Sequence, residues 1–283
     1  MFKLRHKTTP LFLGVLMWFI PLIAQAQRPA TIIMSTRSAY KHISSDDASL
    51  IPTRFNDRLS ALVNRMRKEG FRIDSLLEDP RFELYNGISD RFKKSAEKTS
   101  LNLQKYKKIL GYEDKKNKIL GFIKTHKNQL QKAEKTYNVP IYVISAIIGI
   151  ESDFGQNAGD YNPFNTYVSM YEENYRQEFA FNQLKHLLMF VKKRNLDVFE
   201  LKSSYAGAMT FGQFIPYSLN KWFIGDDILD MNNNIMSVAN YLSYFKERTG
   251  SIKKAVLRYN PSDLYTRAVL DLAKAAEAQY KAS

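Results

Sequence analysis

The chain has 283 residues, enough for one large domain or two modest ones. Apolar residues make up 45% and charged residues 25%, which excludes a disordered or collagen-like chain. With no cysteine, disulfide scaffolds, thiolate metal sites, a cysteine nucleophile and a lipid-modified cysteine are excluded. The four histidines, His6, His42, His126 and His186, are scattered singly, so no histidine metal site is expected. The formal net charge of +14 favours encounters with anionic polymers or lipid.

Residues 1–26 read as a secretory signal. Lys3, Arg5 and Lys7 precede a fourteen-residue apolar run, 11–24, and Ala24-Gln25-Ala26 offers small residues for cleavage after Ala26. Fourteen residues fall short of the roughly 20 that a spanning helix needs. Removal of the signal takes three basic residues and no acidic one, so the remainder stays strongly basic. Residues 27–53 are polar and without period, and are expected to form a flexible arm.

From residue 54 onward helical periodicity dominates. Phe55, Leu59, Leu62, Val63 and Met66 share one face of a helix over 54–68, and Gly70 stops it. Further helices are expected at 101–110 and 114–137. The stretch 105–135 carries ten lysines, with Ile119, Phe122, Ile123, Leu130 and Ala133 at helical spacing, and reads as a solvated face rather than a binding site. A helix over 140–154 starts at Pro140 and ends before Gly155. Others follow at 175–194, 234–247 and 252–258. Asn260 is the expected N-cap of a last helix to about residue 281, with Pro261 behind it. The segments 155–170 and 204–214 read as loops. No run alternates long enough to promise a strand, so the fold class is mainly α.

One residue stands out in this order. Residues 142–150 (YVISAIIGI) carry no charge, as befits a core helix, and the next residue is Glu151. Its helical neighbours Ile147, Ile148, Phe154 and Gly155 supply no cation. Desolvation, the missing cation and the negative end of the helix dipole all raise a carboxyl pKa, as a general acid near neutral pH requires. A half-exposed carboxylate at a helix end is the alternative. Asp153 lies about 200° around the helix and cannot flank the same bond. Asp160, Asp226, Asp227 and Asp230 are unmarked as partners, so the usual pair of glycosidase carboxylates has no evident second member.

Several ordered segments then carry a resemblance. Glu151-Ser-Asp-Phe-Gly155, SYAGAMTFGQFIPYS (204–218), SVANYL (237–242) and RYNPSDLY (258–265) follow one another, with Glu78-Asp-Pro-Arg81 and Tyr137-Asn-Val-Pro140 upstream. From about residue 54 to 272 the chain resembles the lytic murein transglycosylase B family. The resemblance implies a lysozyme-like helical catalytic domain with an N-terminal helical extension, together spanning 54–283. It implies non-hydrolytic cleavage of the β-1,4 bond between N-acetylmuramic acid and N-acetylglucosamine, leaving 1,6-anhydro ends. Glu151 matches the family's one acid/base. Ser204, Gln213, Ser218, Tyr259, Asn260 and Tyr265 match positions that contact sugar or line the cleft. Tyr175-Arg176-Gln177 falls where the family often has two adjacent arginines near the peptide or lactyl carboxylate, and only Arg176 is kept.

The resemblance further implies peptidoglycan strands as partner, with no nucleic acid, cell-wall enzyme complexes as further partners, a monomer, no cofactor and a periplasmic location without lipid anchor. Residues 225–232 lack the length and spaced acids of an EF-hand loop, so no metal, calcium included, is expected. The alternatives are a hydrolytic muramidase with the same site, a non-catalytic murein-binding protein, and a basic protein of the membrane surface.

Overall fold

The structure, a computed structural model, describes residues 56–96 and 101–283, with side chains to residue 92 in the first stretch. The expected signal and the arm lie outside these residues. In chain order the helices are α1 (Asp57–Lys68), α2 (Asp74–Leu77), α3 (Ile88–Ala96), α4 (Leu103–Ile109), α5 (Tyr112–Thr125), α6 (Lys127–Tyr137) and α7 (Ile141–Ser152). They continue with α8 (Pro163–Glu172), α9 (Gln177–Arg194), α10 (Pro216–Trp222), α11 (Met231–Thr249), α12 (Ile252–Tyr259) and α13 (Asp263–Lys281). Among the described residues there is no sheet. Three isolated antiparallel bridges, Tyr161 with Ser203, Ser203 with Met209 and Met209 with Phe214, stitch the loops together.

The architecture is built around α7, against which α5, α6, α11 and α13 pack. Every residue of α7 except Tyr142 is buried. Its isoleucines and valine are indifferent helix formers, at a cost of tenths of a kcal/mol each. Burying each such side chain contributes about 1.5–3 kcal/mol, so burial decides the conformation. Pro140 precedes the first turn, where no backbone donor is needed.

The N-terminal helices share this hydrophobic core: Leu62, Val63 and Met66 of α1 are fully buried. Arg65 makes a two-pronged bond to Glu178 of α9, at 2.7 and 2.8 Å, while lying over the Phe181 ring. Arg81, from the Glu78-Asp-Pro-Arg81 segment, bridges Asp79 and Asp197 over the Phe199 ring.

Four expectations are corrected here. The helix expected over 114–137 is two helices, hinged at His126, whose N–H still bonds the Phe122 carbonyl. The helix expected over 140–154 stops at Ser152, because Asp153 and Phe154 both adopt left-handed φ values of 50° and 60°. The 155–170 segment is only partly loop: α8 begins at Pro163, capped by the Asn162 side chain. Asn260 does not cap the last helix. Its backbone N–H closes α12 by bonding the Val256 carbonyl, and Ser262 caps α13 by accepting from the Tyr265 N–H.

Candidate active site

Glu151 occupies the last turn of α7 and is only 4% exposed. Among the described residues its one side-chain hydrogen-bond partner is Tyr265 of α13, whose hydroxyl donates to Oε1 at 2.6 Å. Burial pushes the Glu151 carboxyl up to about 8, and the Tyr265 hydroxyl opposes this only in part. A carboxyl so placed keeps its proton at neutral pH and can deliver it.

The backbone beyond Glu151 turns sharply. The Ser152 hydroxyl donates to the Ile148 carbonyl and accepts the Gly155 N–H. Asp153 leaves the helix and meets Lys118 at 2.7 Å and Lys115 at 3.6 Å on α5. Burial opposes its charge, but Lys118 and then Lys115 outweigh burial and lower its pKa. Asp153 is therefore an ion-paired anchor, turned away from the role of second carboxylate. Phe154 folds back so closely that a Cβ on Gly149 would fall 2.6 Å from its ring.

Glu151 opens onto a cleft lined also by Phe92, Arg176, Phe179, Ala206, Ala208, Gln213, Ile215 and Tyr259. Three expected residues thus meet Glu151 in one lining: Arg176, Gln213 and Tyr259. Arg176 has left-handed backbone at the start of α9, and its guanidinium lies 4.1 Å from the Phe179 ring centroid. Gln213 also has positive φ, 51°, and its amide donates to the Thr210 carbonyl at 3.0 Å.

The loop carrying Gln213 is held from two sides. Asn234 of α11 accepts the N–H groups of Phe211 and Gly212 on Oδ1 and donates to the Ile228 and Asp230 carbonyls. Tyr259 donates its hydroxyl to the Gly212 carbonyl.

Other expected residues fall elsewhere. Tyr265 supports Glu151 from the core and does not line the cleft. Ser204, Ser218 and Asn260 are buried and absent from the lining. The Ser204 hydroxyl accepts the Ala208 N–H, closing the small-residue loop.

The sequence reading missed Phe92, Phe179 and Ile215 in the lining. It also missed Tyr106 of α4, whose hydroxyl pKa is raised by burial first and the Glu151 charge second. Among the described residues no cluster of three or more His, Asp or Glu is arranged to hold a metal.

A buried lone acid at the end of a core helix, facing a cleft built on helical loops, invites comparison with known proteins. Residues 54–252 match the profile of the transglycosylase SLT domain. The chain belongs to the transglycosylase SLT domain family. A relative in this family, the membrane-bound lytic murein transglycosylase B of Escherichia coli (strain K12), is 28% identical over 145 residues. That alignment covers 50% of this chain and 40% of the relative, so the chain matches less than half of the relative's length.

Among solved structures, the soluble lytic transglycosylase SltB1 from Pseudomonas aeruginosa superposes with a TM-score of 0.69 at 22% identity, over 80% of this chain and all of that one. SltB3 from Pseudomonas aeruginosa, in complex with NAG-anhNAM-pentapeptide, gives 0.66 at 18% identity, over 77% of this chain and 78% of that one. At these identities the likeness shows the fold, which is the lysozyme-like helical fold of the SLT family. Among the described residues no helix is long and apolar enough to cross a membrane.

Proposed function

We propose that this chain is a lytic transglycosylase of peptidoglycan, cutting the β-1,4 bond between N-acetylmuramic acid and N-acetylglucosamine without water. The carrying observation is that Glu151 is buried, with burial raising its pKa, while among the described residues no second carboxylate lines its cleft. In the proposed reaction Glu151 gives its proton to the leaving glucosamine oxygen as the C1–O bond breaks. The carboxylate then takes the proton of the muramyl C6 hydroxyl as that oxygen bonds to C1. Atoms and charge balance with no other reactant, and a 1,6-anhydro end results. Inverting hydrolysis would need a base to activate water on the opposite face, and among the described residues the lining offers no carboxylate for that.

Arg176 supplies a cation suited to a lactyl or peptide carboxylate. Gln213 supplies an amide for sugar hydroxyls, and Tyr259 an aromatic wall. Family membership supports glycan strands as the partner, and the signal-like start supports export to the envelope.

The deciding test is mass spectrometry of murein digested by the wild type and by Glu151→Gln. Anhydro-muramyl products from the wild type and none from the variant are expected. Reducing ends would make the enzyme a muramidase, and cleavage by Glu151→Gln would overturn the assignment of the acid.

A further inference from the structure

We propose that Glu173 is a positioning residue of this cleft, holding the start of α3 and thereby setting the Phe92 wall against which substrate binds. The proposal rests on the reading of the cleft as a glycan site. Glu173 directly follows α8. Its Oε1 accepts the N–H groups of Gly87 at 2.6 Å and Ile88 at 3.2 Å, and its Oε2 accepts that of Ser89 at 2.7 Å. These are amides that the first turn of a helix leaves unpaired, and the helix dipole favours an anion there. Burial opposes the charge, but the backbone donors outweigh it and hold the pKa below its ordinary value.

The neighbouring residue reaches the start of α1 through side chains. Glu172 accepts from the Asn56 amide at 2.7 Å on its carboxylate and from Arg58 at 2.8 Å on its carbonyl. The end of α8 thus grips both α1 and α3. The main helix against which α3 packs is α8.

Phe92 is the part of α3 that reaches the site. Its ring stacks on Tyr175 at 4.9 Å, meets Tyr205 edge-on at 5.2 Å, and lines the cleft with Glu151. Tyr175 precedes Arg176, so the wall set by α3 adjoins the cleft's cation. A shift of α3 would move the aromatic wall without touching the acid.

The variant Glu173→Gln keeps the side chain's size but turns an amide donor toward backbone donors. Amide hydrogen exchange at Gly87, Ile88 and Ser89 is expected to accelerate, a readout independent of catalysis. With soluble uncross-linked glycan strands, KM is expected to rise roughly 3- to 10-fold with kcat within about twofold. Phe92→Ala is expected to do the same, and the double variant to be no worse than Phe92→Ala alone, because both act on one wall.

Unchanged exchange, a fall in kcat at constant KM, or additive losses would overturn the proposal. If Glu173→Gln does not fold, Glu173→Asp, one methylene shorter, carries the same comparison. If the wild type yields no products, the cleavage reading fails; the Kd of the strands across the same variants then decides the role of Glu173.

Discussion

The Tyr265 hydroxyl and the Glu151 carboxyl meet at 2.6 Å where α13 crosses the end of α7. This bond favours the anion and works against the burial that favours the acid. In the proposed cycle Glu151 must be an anion after the first proton transfer, and Tyr265 is the group that steadies it. Tyr265→Phe is expected to raise the carboxyl pKa further, so the alkaline limb of kcat/KM moves to higher pH. Loss of a hydrogen bond to a charged group, about 1.5–3 kcal/mol, corresponds to a fall in kcat of roughly 10- to 100-fold. A pH–rate profile of wild type and variant checks both.

Glu151 also couples stability to pH. Its pKa rises from 4.5 to about 8 on folding, so between these values the folded state holds a proton that the unfolded state lacks. Its contribution is therefore fully present below about pH 4.5 and is lost as pH rises through 8. Relative to Glu151→Gln, which cannot ionise, the wild type is expected to lose about 1.4 kcal/mol per pH unit across that window. Urea unfolding of both proteins at pH 5, 6.5 and 8 measures the slope. A difference that does not vary with pH would contradict it.

Tyr259 ties α12 to the loop bearing Gln213. Tyr259→Phe leaves the buried Gly212 carbonyl without that donor, at a cost of about 1–3 kcal/mol. Lower thermal stability is expected, together with a higher KM, since Gln213 is held in a conformation that few side chains adopt unaided. Calorimetry and steady-state kinetics on the same preparation test the pair.

A single glycine carries comparable weight. Gly159 has φ +97°, and a Cβ there would lie 2.1 Å from the Ser203 carbonyl oxygen, a backbone atom. Gly159→Ala is expected to break the bridge between Tyr161 and Ser203 and to destabilise the fold by more than about 1 kcal/mol. Its melting temperature, compared with that of Gly121→Ala on an open helix face, makes the measurement.

The helices most legible in the sequence are those half covered by solvent. In α1, α9 and α13 apolar and polar residues alternate with the helical period, and the expected bounds fall within a few residues of the observed ones. α8 escaped notice for the opposite reason: residues 163–171 are all buried, so no polar face marks the period. The break at His126 has no glycine or proline to announce it. Glu151 was legible because a lone acid ending an apolar helix is a local signal. Phe92 and Tyr106 were not, since each reaches the site from a short helix distant in sequence, and only packing unites them with Glu151.

The SLT match stops at residue 252, whereas the tyrosine that touches the acid sits on α13. A fragment trimmed to the matched stretch would keep the glutamate and forfeit both Tyr259 and Tyr265, stripping α7 of the helix that shields its end. The carboxyl would lose its hydrogen-bond partner and part of the burial that raises its pKa. The terminal helix is thus as much a part of the proton donor's environment as the helix that bears it.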